Sequence, residues 1–150
     1  MNVDFSMAIK LFFANYVNFK GRSTRAEYWF AALFCFIASI VANGIGSLIH
    51  WKYFASLVSL ALFLPQLSVL VRRFHDTGRS GKVVAWIYAV CIIGAIFCGL
   101  GVGARVTWAT VVGGIIAAAA CIYMLVVTVT PSGPDNQYGP DPYAYEKNKQ

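Results

Sequence analysis

Four long stretches of the chain carry no charged side chain: Tyr28–Leu48, Tyr53–Val71, Val83–Val102 and Val106–Val129, of 21, 19, 20 and 24 residues. A helix needs about 20 apolar residues to cross a hydrocarbon core of about 30 Å, so each run is long enough to span a membrane. The runs are apolar on every side, whereas a helix of a soluble bundle keeps a polar face. The first is also longer than the hydrophobic segment of a signal peptide, about 7–15 residues, and is read as a span. The pattern therefore predicts an all-α integral membrane protein with four transmembrane helices. Upstream, Phe5, Ile9, Phe12, Phe13 and Tyr16 recur at helical spacing while Asp4, Lys10 and Asn15 fall elsewhere on the wheel. This predicts an amphipathic N-terminal helix, either lying in the membrane interface or packed on the bundle.

Punctuation along the chain sets the boundaries. Gly21 breaks the first helix, and Thr24 stands three residues before Glu27, a capping box that starts the first span near Arg25. The short connections His50–Lys52 and Gly103–Arg105 predict two antiparallel hairpins, joined by a charged segment Arg72–Lys82. Pro131 ends the last helix, since it cannot donate the next amide bond. The expected organisation is an N-terminal segment 1–24, a membrane domain 25–130 with spans near 28–48, 53–71, 83–102 and 106–129, and a Pro/Gly-rich tail 131–150.

Composition agrees with the pattern. Hydrophobic residues make up 59% and charged residues 12%, with a mean hydropathy of +0.64, whereas a globular chain carries about 25% charged residues. The net charge of +6 adds an orientation. Lys10, Lys20, Arg22, Arg25, Arg72, Arg73, Arg79, Lys82, Lys147 and Lys149 lie on one side of the predicted spans, and only Lys52 and Arg105 on the other. The positive-inside rule then puts both termini and the Arg-rich segment in the cytoplasm. No basic stripe with interleaved aromatics appears, which excludes a nucleic-acid surface.

Inside the spans, Gly99 and Gly103 form a GxxxG, Gly113, Ala117 and Cys121 a second ridge, and Ser39, Asn43 and Ser47 a third. These are expected to be helix-packing faces. Pro65 and Gln66 predict a kink and a hydrogen bond within the second span. No ionisable residue sits at mid-membrane, which argues against a proton- or ion-coupled transporter. Cys35, Cys91, Cys98 and Cys121 lie within spans without a CxxC, so no cofactor, no metal site and no redox role is expected. Hydrolase and metalloprotease motifs are missing, and Gly78–Lys82 fails the spacing of a phosphate loop. No catalytic residue is expected.

One constellation remains. Arg22 and Arg25 precede the first span, and Arg72, Arg73, His75, Asp76 and Arg79 follow the second, all on one membrane face. Two readings stay open. The arginines could set topology and pair with Glu27 and Asp76. Alternatively Arg22, Arg25, Arg72, Arg73, His75 and Arg79 could bind an anionic phospholipid headgroup or an acidic partner, since guanidinium forks suit phosphate.

Three segments carry a resemblance: FKGRSTRAEYW at residues 19–29, VRRFHDTGRSG at 71–81 and GPDNQYGPDP at 133–142. In this order and spacing they resemble the small bacterial inner-membrane proteins of domain of unknown function 805, the YhaH-like family. The chain departs from the family at Lys82, where Trp is usual. The resemblance implies a multi-pass inner-membrane location and no established activity. It marks Gly21, Arg22, Arg25, Glu27, Trp29, Arg72, Arg73, His75, Asp76, Gly78 and Gly81, and in the tail Asn136, Tyr138, Gly139 and Pro142, as motif positions. The tail is expected to fold back on the Arg segment, with Asp135 or Asp141 meeting arginines. The expected function is non-enzymatic: a structural protein that interacts with membrane lipids, with a membrane-protein partner or with further copies of itself. The alternative is a small transporter or translocase subunit acting as an oligomer.

Overall fold

The computed structural model describes residues 3–103 and 107–142. It is helical, in the order α1 (Phe5–Ala14), α2 (Arg25–Leu48), α3 (Phe54–Asp76), α4 (Gly81–Gly103) and α5 (Thr107–Val129). Helices α2 to α5 are each long and apolar enough to cross a membrane. Their outward faces carry Leu, Ile, Val, Phe and Trp in large exposed numbers, which lipid solvates and water would not. The connection expected at Gly103–Arg105 and the basic pair Lys147 and Lys149 fall wholly or partly outside the described residues.

Helix α2 packs on α3 and α4 on α5, while α3 also reaches α4 and α5. Two small cores result. Leu70, Phe74, Val84, Ile87, Ala120 and Val127 fill the space between α3, α4 and α5, and Phe12, Ala31 and Val69 that between α1, α2 and α3. Helix α1 is capped by Asp4, whose carboxylate accepts from the Met7 amide at 2.7 Å, and it lies on the bundle through aromatic rings. Phe5 meets Phe30 edge-on at 5.9 Å, and Phe12 and Phe13 both meet Phe34. The Tyr16 hydroxyl donates to the Ala61 carbonyl, and Ser68 Oγ reaches the carbonyls of Asn15 and Asn18 at 2.8 and 2.7 Å. Backbone ends of the N-terminal segment are thus tied to α3.

Two packing expectations need correction. The α4–α5 contact runs through Gly94 and Gly113, not through the GxxxG of Gly99 and Gly103, which face open space. Gly99 lies five residues, about 140° of helical rotation, from Gly94, so it points off the contact face. The α5 ridge does serve: Gly94 abuts both Gly113 and Ala117. On α2, Ser39 and Asn43 bond carbonyls of their own helix, Cys35 and Ser39, at 2.8 Å each, and Asn43 and Ser47 are exposed. Within the apolar stretches, α2 and α3 are instead joined by Cys35 Sγ to Gln66 Oε1 at 3.4 Å.

Candidate functional site

The Arg-rich end of the bundle is where three separate stretches of sequence meet. The charged residues that follow the second apolar stretch were expected in the connection to the next span, but α3 continues through Arg72, Arg73, His75 and Asp76 before it stops. It ends in a full Schellman motif: the Gly78 amide donates to His75 O at 3.0 Å and the Arg79 amide to Phe74 O at 2.9 Å. Gly78 sits at φ +75°, where a side chain would be strained. The connection to α4 is therefore only residues 77–80. At the start of α2, Thr24 Oγ1 accepts from the Glu27 amide at 3.2 Å. Only this half of the expected capping box forms, because the Glu27 carboxylate turns to Arg72 instead, with Oε1 2.8 Å from Nη1.

Asp76 is the centre of the end. It is fully buried, and its Oδ1 receives Arg22 through Nε and Nη2, both at 2.9 Å. Its Oδ2 receives Arg73 Nη1 and the Ser132 hydroxyl, the latter at 2.6 Å. Both guanidiniums then go on to cap helix ends. Arg22 Nη2 donates to the Asp76 carbonyl at the end of α3, and Arg73 donates to the carbonyls of Thr128 and Thr130 at the end of α5. Counting Arg72 and Glu27, the ion pairs among the described residues at this end join three cations and two anions. The excess is offset by the two helix C-termini, each equivalent to about half a negative charge.

The tail closes over this arrangement. Arg22 Nη1 and Nη2 reach the carbonyls of Pro134, Gly139 and Gly133 at 2.9, 3.1 and 2.6 Å, and the Gly133 amide returns a bond to the Asp76 carbonyl at 3.2 Å. Residues 136–139 form a turn in which the Asn136 and Gly139 backbones bond each other. Asn136 Nδ2 donates to His75 O at 3.0 Å, and Tyr138 stacks flat on the His75 ring at 3.8 Å. The expected fold-back is present, but Arg22 is met by backbone carbonyls, and Asp135 accepts the Asp141 amide at 2.7 Å.

His75 Nδ1 lies 3.2 Å from the Gly21 carbonyl, an acceptor, so this nitrogen carries the proton. Gly21 adopts φ +85° to turn that carbonyl inward. Nearby, the Ser23 amide donates to Arg72 O at 3.2 Å. Gly81 is required for space: a Cβ there would stand 2.8 Å from Val71 Cγ1 and 3.2 Å from His75 Nε2.

The six arginine and histidine candidates thus divide. Arg22, Arg72, Arg73 and His75 are buried in the end of the bundle. Arg72 keeps Nε and Nη2 without a hydrogen-bond partner among the described residues, which makes it the least compensated of the four. Arg25 and Arg79 are different. Arg25 is exposed, Arg79 half-buried, and neither side chain has a polar partner among the described residues. Arg25 borders a shallow cleft of about 340 Å³ walled by Trp29, Phe30 and Val129. The carbonyls of Thr128, Thr130, Gly133 and Pro134 have no signal in the sequence, because every residue offers a backbone acceptor, and Ser132 joins the site as one serine hydroxyl outside the tail motif at 133–142.

Residues 16–140 match the family model described as "Protein of unknown function (DUF805)". Among curated proteins, the chain is 43% identical over 74 residues to the inner membrane protein YhaI of Escherichia coli K12, a match covering 48% of this chain and 60% of that protein. It is 35% identical over 72 residues to the inner membrane protein YhaH of the same organism, covering 44% and 60%. The matched stretch therefore spans 60% of the length of these relatives. No solved structure matches the chain significantly.

Proposed function

The chain belongs to the DUF805 family, and on that premise we propose a non-enzymatic role for it. It is a structural multi-pass protein of the inner membrane, with its Arg-rich end and both termini on the cytoplasmic side. The ten-to-two distribution of basic residues supports that orientation. The motif face works in two parts. Arg22, Arg72, Arg73, Glu27 and Asp76 fix the helix ends to one another, and Arg25 and Arg79 meet anionic phospholipid.

The observation that carries this reading is the split between buried, paired arginines and outward, unpaired ones. A guanidinium beside the apolar walls of Trp29, Phe30 and Val129 suits a phosphate at the headgroup level with an acyl chain below it. The buried pairs, in contrast, cannot reach a headgroup without unfolding the end. Catalysis has no support in the geometry, since the Ser132 hydroxyl donates to a carboxylate already engaged by two guanidiniums.

The test compares two double variants in liposome or detergent lipid-binding assays. Arg25→Gln with Arg79→Gln is expected to weaken binding of anionic phospholipid by roughly an order of magnitude, since each surface cation contributes about 1 kcal/mol. Its thermal midpoint should match that of the parent. Arg72→Gln with Arg73→Gln should instead lower the midpoint. Unchanged lipid binding in the first variant contradicts the reading.

A further inference from the structure

The end of the bundle opposite the arginines holds a second surface that the family motif does not touch. A cleft of about 320 Å³ is lined by Asn43, Ser47, His50 and Lys52. A second, of about 510 Å³, shares Asn43 and Ala55 with it and continues between α2 and α3 past Ser56 and Ser59 to Leu60 and Phe63. The two form one groove open to the side of the bundle.

Its chemistry changes with depth. At the mouth are two basic side chains, and none of the six acidic residues of the chain lies between positions 28 and 75. Within the next two turns, up to about 11 Å along the helices, come the exposed side chains of Asn43, Ser47, Ser56 and Ser59. The Asn43 amide oxygen and the three serine hydroxyls have no hydrogen bond among the described residues. Polar groups left open to hydrocarbon are costly, so something polar belongs beside them. Deeper still the wall is Leu60 and Phe63.

The backbone adds an independent observation. Helix α2 ends in a Schellman motif, with the Trp51 amide on Gly46 O at 2.9 Å and the His50 amide on Ser47 O at 3.3 Å. Here the left-handed position is filled by His50 at φ 55°, the one non-glycine residue with positive φ among those described. The same motif at the end of α3 uses Gly78. A histidine therefore occupies a position where glycine is unstrained, and this residue lines the groove.

We propose that this groove binds a glycerophospholipid with an anionic headgroup, its phosphate against Lys52 and His50, its ester carbonyls against Asn43, Ser47, Ser56 and Ser59, and an acyl chain along Leu60 and Phe63. The order of cation, hydrogen-bond donor and apolar wall follows the order of phosphate, ester and chain in such a lipid. A second copy of the protein fits less well. A two-fold axis along the membrane normal would bring Lys52 and His50 of both copies to the same depth, face to face.

Native mass spectrometry of the full chain in mild detergent, titrated with phosphatidylglycerol or phosphatidylethanolamine, tests this. The parent is expected to retain phosphatidylglycerol at this groove about fivefold more tightly, the preference one surface cation confers. His50→Gly with Lys52→Gln should lower the preference by that factor and lose one bound lipid, leaving what the arginine end contributes. The Arg25 and Arg79 double variant should keep the groove's share, and adding the groove substitutions to it should remove the remaining preference, so the two ends are read separately. Lys52→Gln alone, at an exposed side chain, keeps the measurement available if the double variant folds poorly. Equal retention of the two lipids by the parent, an undiminished preference in both groove variants, or efficient Ser56→Cys disulfide dimers in membranes would overturn the proposal.

Discussion

Asp76→Asn is expected to cost about 3–5 kcal/mol of stability in detergent, the penalty for removing one member of a buried ion pair. The carboxylate is fully buried and bonds both Arg22 and Arg73, whose side chains are 3% and 0% exposed. An amide of the same size removes the carboxylate charge that both guanidiniums share. The loss should also spread along the chain, because Arg22 holds the carbonyls of Gly133, Pro134 and Gly139, and Ser132 bonds Asp76 directly. Residues 131–142 should therefore become protease-sensitive in the variant at temperatures where the parent resists. A denaturation midpoint indistinguishable from the parent, with the tail still protected, would contradict the account of this end.

The second large effect lies in the membrane. A Cβ on Gly113 would stand 2.5 Å from the Gly94 carbonyl, 2.7 Å from the Cys98 amide nitrogen and 3.1 Å from Phe97 Cβ. The first two are backbone atoms of α4 and cannot rotate away, so the helices must separate. Gly113→Ala is expected to destabilise by about 1–3 kcal/mol, the usual range for overpacking. Gly99→Ala is the matched control. Nothing lies within 4 Å of its Cβ position, and alanine is the better helix former by about 1 kcal/mol. The two glycine variants should therefore change stability with opposite signs, measured as thermal midpoints in the same detergent. A neutral Gly113→Ala, or a destabilising Gly99→Ala, would place the α4–α5 contact elsewhere.

Much of the membrane architecture was readable because the cost of burying charge in lipid is large and leaves a mark in every span. Among the described residues α2 ends at Leu48, α3 begins at Phe54 and α5 ends at Val129, each inside a stretch without charge. Helix α3 runs five residues past Val71, at which the second charge-free stretch ends. A gap in charge reports where lipid begins and not where the helix stops, and Arg72, Arg73 and Asp76 extend α3 by finding partners outside it. At the Arg-rich end, residue types predicted that cations and anions of distant segments would be neighbours. Which of them would be buried depended on Gly133, Pro134, Thr128 and Thr130 offering carbonyls, a property every residue shares. The GxxxG of Gly99 and Gly103 misled for a related reason: small size permits close approach, but the helical phase relative to a partner decides which glycine meets it.

The most direct measurement is a double-mutant cycle between Arg22 and Asp76, read as unfolding free energies of the parent, Arg22→Gln, Asp76→Asn and the combined variant. If the two side chains neutralise each other in the interior, removing both should cost at least about 1.5 kcal/mol less than the sum of the single losses, as coupled contacts do. Single losses that simply add, to within about 0.5 kcal/mol, would mean that the two residues do not meet, and the interlocked end of the bundle would not exist as described.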